Sequence, residues 1–140
     1  MLEPGVVVEE GVTLQAAGPA VDLRLEAGED TQISSTETGP PNDGANVTAT
    51  GSSYAAVDEV STTGDFSRGV FAQGTSAIVI AQSVSSTGTG STGIHATASG
   101  LTGGGPVSVV GNSVTTQGDN AIGILATSTA GKYGDGGPVD

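Results

Sequence analysis

Fourteen consecutive positions recur three times without a gap: VSTTGDFSRGVFAQ from Val60 to Gln73, VSSTGTGSTGIHAT from Val84 to Thr97, and VTTQGDNAIGILAT from Val114 to Thr127. The shared rule is V-[ST]-[ST]-x-G-x-x-x-x-G-[IV]-x-A-[QT], with the two glycines five residues apart in every copy. Self-similarity at a period of about 20 to 50 residues marks a chain built from stacked units, none of which buries its apolar side alone. The copies begin 24 and then 30 residues apart, and the difference falls at Gly100-Leu101-Thr102-Gly103-Gly104-Gly105. Such a glycine-rich stretch reads as a loop inserted between units.

Between copies lies a further short apolar segment, Ala77-Ile78-Val79-Ile80-Ala81 in one unit and Pro106-Val107-Ser108-Val109-Val110 in the next. Each unit therefore offers three short strands. Three strands and three turns in about 24 to 30 residues make one coil of a parallel β-helix, a β-solenoid, with each coil about 4.8 Å from the one before. Period-two alternation then assigns faces. Val60, Val84 and Val114 point inward, followed by Thr62, Ser86 and Thr116. So do Val70, Ile94 and Ile124, with Ala72, Ala96 and Ala126. Ile78 and Ile80 are expected inward beside Val107 and Val109. The glycine pairs Gly64 and Gly69, Gly88 and Gly93, and Gly118 and Gly123 flank a turn, where a positive φ or a close approach to the neighbouring coil excludes a Cβ. Asp65 and Asp119 follow the first glycine and can bond turn amides.

Composition agrees with thin layers. Four aromatic residues, no Trp and 35% hydrophobic content leave Val, Ile, Leu and Ala to build the interior. No amphipathic helical stripe is present, so the chain reads as all-β. The net charge is −12, and residues 1–60 hold 11 of the 15 acids against Arg24 alone. Nucleic acid and anionic lipid are excluded as partners, because a phosphate backbone needs clustered Lys or Arg. There is no cysteine, hence no disulfide or thiolate metal site. No apolar run approaches a membrane span, so no direct membrane insertion of this segment is expected.

Upstream, Val6–Val8, Val12–Leu14, Val21–Leu25 and Gln32–Ser34 alternate like strands without the motif. We divide the chain into residues 1–45, irregular first coils or a cap, and residues 46–140, the repeats. Thr36–Asn46, with its Gly-Pro-Pro-Asn-Asp-Gly, reads as a loop, and Val47–Gly51 echoes the opening of the motif without its second half. Gly136-Gly137-Pro138-Val139 repeats the GGGPV at Gly103 and reads as a coil cut short. Unpaired coil ends favour self-association.

The units GVFAQ at Gly69–Gln73, GIHAT at Gly93–Thr97 and GILAT at Gly123–Thr127, each preceded by a V-[ST]-[ST] strand, resemble the passenger repeats of bacterial autotransporters. The resemblance covers about residues 60–140. It implies a right-handed parallel β-helix exported to the surface of a Gram-negative bacterium, with the signal peptide and the C-terminal barrel outside this segment. Passengers of that family act as adhesins, stalks, proteases or toxins.

Catalytic chemistry finds little support. His95 aligns with Phe71 and Leu125 at an outward position and reads as an exposed filler. Asp58, Glu59 and Asp65 near Arg68 are the best acid and base candidates for a carbohydrate-processing β-helix, but read more simply as surface charge. Asp135 lies in a glycine-rich stretch that does not meet the calcium-binding nonapeptide. Glu9-Glu10 and Glu29-Asp30 are sequence neighbours without converging oxygens. No catalytic residue, cofactor or metal is expected. The function expected is a structural or adhesive segment of a secreted surface protein, facing a host or cell-surface protein or glycan. A carbohydrate-binding or carbohydrate-processing β-helix is the alternative. An ice-binding solenoid, using Ser61, Thr63, Ser85, Thr87, Thr115 and Gln117, is a further one.

Overall fold

The computed structural model describes residues 5, 7–8, 11–18, 21–28, 31–35, 43–101, 103–132 and 134–140, with the backbone alone at Val7. Their regular structure is all β-strand: β1 (Val7–Val8), β2 (Val12–Gln15), β3 (Leu23–Glu26), β4 (Gln32–Ser35), β5 (Asp43–Thr48), β6 (Ser52–Thr63), β7 (Arg68–Gly74), β8 (Ser76–Thr87), β9 (Thr92–Gly100), β10 (Val107–Gln117) and β11 (Ile122–Ala130). They form two sheets in which every pairing is parallel. One runs β1-β4-β6-β8-β10, with β3 also beside β6, and the other runs β11-β9-β7-β5-β2. From β5 to β11 the chain visits the sheets alternately. Parallel neighbours need a crossover, and here the strand in the opposite sheet provides it.

The repeat dictates the register. Val60 pairs with Val84 and Val84 with Val114, extended upstream by Ile33 and Val8 into one column of five. In the other sheet Val12, Ala45, Val70, Ile94 and Ile124 form a column, and Leu14, Val47, Ala72, Ala96 and Ala126 another. Side chains of both sheets meet in one aliphatic core. At the inward hydroxyl positions, Thr62 donates to Ser86 at 2.8 Å, and Ser86 lies 3.0 Å from Ser67 Oγ. Among the described residues no buried side-chain polar atom lacks a partner.

Three expectations are corrected. Asp43–Asn46, placed in a loop, belong to β5, while residues 36–42 lie outside the described residues. Val47 pairs with Ala72, so Gly44-Ala45-Asn46-Val47-Thr48 matches the closing Gly69–Gln73 and not the opening of the motif. Gly11-Val12-Thr13-Leu14-Gln15 occupies the same place one layer earlier. Ile78 and Ile80 point outward, each 38% exposed, while Ala77, Val79 and Ala81 are buried. The 30-residue register sets Ala77 and Val79 against Val107 and Val109, and Ile78 against Ser108. An all-apolar run carries no alternation of its own, and a one-residue slip turns every side chain over.

The three short strands expected per unit are two here, because the segment before the motif and the motif's own first strand run together as β8, although pairing is interrupted at Gln82, and at Asp58 and Asn112 in the adjoining strands. Gln82 and Ser83 are both exposed, so the alternation resets there. In the layer before β6, two layers upstream of β8, the same stretch is two separate strands, β3 and β4, both paired to β6.

The motif's turn explains its first glycine. Gly64, Gly88 and Gly118 have φ of 140°, 144° and 132°. A Cβ on Gly88 would stand 2.1 Å from the carbonyl oxygen of Gly64, and one on Gly118 equally close to that of Gly88. The turns also bond to one another, with Gly64 N–H donating to Thr87 and Gly88 N–H to Gln117. Asp65 accepts from the Thr89 amide of the next turn rather than from its own, at 2.9 Å. Pro138 accepts from the Val107 amide, and Val139 bridges Val107, so the second GGPV segment lies in register on the first.

Candidate functional site

With alternate residues committed to the interior, chemistry is left to the outward positions. On the second sheet these join into one connected cluster. Arg68, at the start of β7, holds Asp43 at the start of β5 with two hydrogen bonds of 2.6 and 2.8 Å. Register puts these residues side by side, and the Asp43 side chain is only 4% exposed. The Arg68 guanidinium also lies 3.6 Å from the centre of the Phe71 ring. Phe71 in turn meets His95 edge to face, with centroids 5.1 Å apart. His95 Nε2 is 3.2 Å from Thr97 Oγ1, which reaches Thr127 at the same distance. Asn46 closes the cluster by donating to Asp43, and Thr48 donates to Asn46.

His95 thus occupies the outward place expected between Phe71 and Leu125, half-buried and with partners that spacing alone did not reveal. Burial first, and the Arg68 charge second, push its pKa down, while Asp43 acts the other way. A proton titration followed by NMR should place the imidazole midpoint below the ordinary value. Removing the charge with Arg68→Met should raise it. Because the folded pKa is depressed, the unfolded chain binds the proton first. The His95 contribution to stability is therefore complete above the ordinary value and is lost as pH falls through the depressed one. His95→Leu, the residue found at position 125, should remove that slope from urea-unfolding curves taken across this range. A slope that persists unchanged would contradict the assignment.

The acid candidates do not converge. Arg68 is taken by Asp43, Asp65 serves the turn, and Glu59 accepts from Gln32 at 3.1 Å. Asp58 stands apart beside Ile80. Among the described residues no three His, Cys, Asp or Glu side chains are grouped to hold a metal ion. Glu9, Glu10, Glu29 and Asp30 lie outside them. The Asp135 carbonyl accepts from the Gly104 amide across the paired glycine segments.

The first sheet presents two outer surfaces. Beyond the interruption at Gln82, Ser34, Ser61, Ser85 and Thr115 stand in one row, and Thr63, Thr87 and Gln117 in another. The rows mix Ser, Thr and Gln and do not form continuous threonine ladders. Before the interruption, Arg24, Tyr54, Ile78 and Ser108 share one outward row, and Glu26, Ala56, Ile80 and Val110 the next. Arg24 lies 4.0 Å from the centre of the Tyr54 ring and is salt-bridged to Glu26. No helix among the described residues is long and apolar enough to cross a membrane. Comparison of the chain with protein-family models, curated proteins and solved structures gives no match in any of the three.

Proposed function

We propose that the chain is a segment of a right-handed parallel β-helix that extends from a bacterial surface and presents its outer faces to a host or cell-surface ligand. In this reading it is a non-catalytic stalk of the autotransporter-passenger type, with adhesion as its activity. One observation carries the reading: the inward columns persist in register through successive layers while the residues between them turn out. Such a scaffold lengthens by adding layers and changes its surface without touching its core. A hydroxyl-rich, acidic exterior suits a protein or glycan ligand through hydrogen bonding.

Antibodies raised against the purified chain should label intact cells of the source bacterium. The labelled chain should also bind saturably to a subset of spots on an array of glycans and extracellular-matrix proteins. Labelling that appears only after the cells are permeabilised would overturn the surface reading. Binding confined to glycans would select the carbohydrate-binding form.

A further inference from the structure

The outward face formed by β3 and the first halves of β6, β8 and β10 leaves apolar side chains of adjoining layers uncovered. Ile78 and Ile80 form a ridge at its centre, with Tyr54 beside Ile78, and Val110, 58% exposed, beside Ile80. Two isoleucines side by side on an outer sheet face call for an explanation, because clustered exposed apolar side chains mark interaction sites whereas scattered ones do not. A shallow groove borders each end of the ridge. The one at Ile78 has a volume of about 310 Å³ and is walled in part by Asp22, Arg24 and Tyr54, with Asp22 Oδ1 accepting from the Ser52 amide at 2.6 Å and its second oxygen left to a ligand. The one at Ile80 has a volume of about 180 Å³ and is walled in part by Asp58. The ridge thus runs from one carboxylate to another.

We infer that this face binds a cationic amphipathic peptide segment in extended form, its apolar side chains on Ile78 and Ile80 and a basic side chain at each end on Asp22 and Asp58. The charges argue for this occupant. The arginines near the outer faces are already engaged, Arg24 by Glu26 and Arg68 by Asp43, so neither neutralises Asp58, and a basic side chain of a partner finds an uncompensated carboxylate there. A second copy is disfavoured, because a two-fold pairing of this face would set Asp22 of one against Asp58 of the other in a chain of net charge −12. The spacing fits as well. Asp22 stands one residue before the Leu23↔Ser53 pair, level with Ser52, and Asp58 lies six positions further along β6. Six residues of extended chain span about 20 Å, and an extended peptide returns to the same face at every second residue.

These relations define the probe, the blocked heptapeptide Lys-Thr-Leu-Thr-Leu-Thr-Lys, whose two lysines and two leucines share one face. Titrated into the ¹⁵N-labelled chain, it should give saturable amide shifts confined to β3 and the first halves of β6, β8 and β10. Ile78→Thr with Ile80→Thr, which keeps β-branched residues at outward positions, should weaken binding about tenfold or more. Asp58→Asn, which does not put the fold at risk, should weaken it about threefold. The same peptide with serine in place of leucine should not bind. Shifts that scatter over the acidic N-terminal strands, or an affinity indifferent to both isoleucines, would reduce the effect to general charge attraction and overturn the inference. So would self-association of the free chain that buries the same amides.

Discussion

Gly88→Ala is expected to unfold the stack at its centre, whereas Gly123→Ala is expected to leave stability within about 0.5 kcal/mol of the parent. Both are glycines of the same repeated motif. At Gly88 two independent effects oppose a side chain. Its φ of 144° lies where L-residues are strained, and the added Cβ would sit 2.1 Å from the Gly64 carbonyl oxygen and 2.4 Å from its carbon. Those atoms are backbone, held by turn-to-turn hydrogen bonds, and cannot swing aside as a flexible side chain would. Relief requires the two layers to part, which breaks the ladder between β6 and β8. A loss of about 4 kcal/mol or more is expected, read as a lower urea midpoint or as failure to fold. At Gly123 the same Cβ meets nothing within 4 Å, because β11 is the edge strand of its sheet among the described residues. Gly93, the equivalent of Gly123 one layer inside, should behave like Gly88, since its Cβ would meet Val114 Cγ1 at 2.5 Å and the Gly123 oxygen at 2.6 Å. Equal tolerance at positions 93 and 123 would show that the motif glycines are not set by layer-to-layer approach.

That contrast marks what could be read from the sequence and what could not. The column of Val60, Val84 and Val114 was legible because three ungapped copies fix both register and face. The upstream layers were not. Gly11–Gln15 and Gly44–Thr48 keep the glycine and the two inward aliphatics of the motif's end, but they carry Leu14 and Val47 where later layers have alanine. Their first halves lie 25 and 27 residues from the next copy, as Val8 to Ile33 and Ile33 to Val60. Only the paired register connects them. The same register brings Asp43 to Arg68, a pair of partners 25 residues apart that sequence neighbourhood had assigned to Asp58, Glu59 and Asp65. Side chains on the outer face are chosen by neighbours in the next layer, and those neighbours are invisible until the spacing between layers is known.

The sharpest test of that spacing lies in the segment whose face the sequence left ambiguous. Val79→Asp should abolish folding, or cost about 4 kcal/mol or more, while Ile78→Asp, one residue away, should cost about 1 kcal/mol or less. Val79 is fully buried in its column between Ala55 and Val109, with core aliphatics around it. No cation is available there to pair a carboxylate, so the charge must either be buried alone or drive its layer apart. Ile78 is already 38% in contact with solvent and stands between Tyr54 and Ser108, so a carboxylate there keeps its water and forfeits only part of one side chain's apolar contact. Circular dichroism and urea unfolding of the two variants would separate the alternatives. The inward placement of Ile78 and Ile80 expected from period two alone predicts the reverse order, with Ile78→Asp the destructive change. If Val79→Asp proved the milder one, the pairing of β8 with β10 would be displaced by one residue, and the ridge of Ile78 and Ile80 would belong to the core.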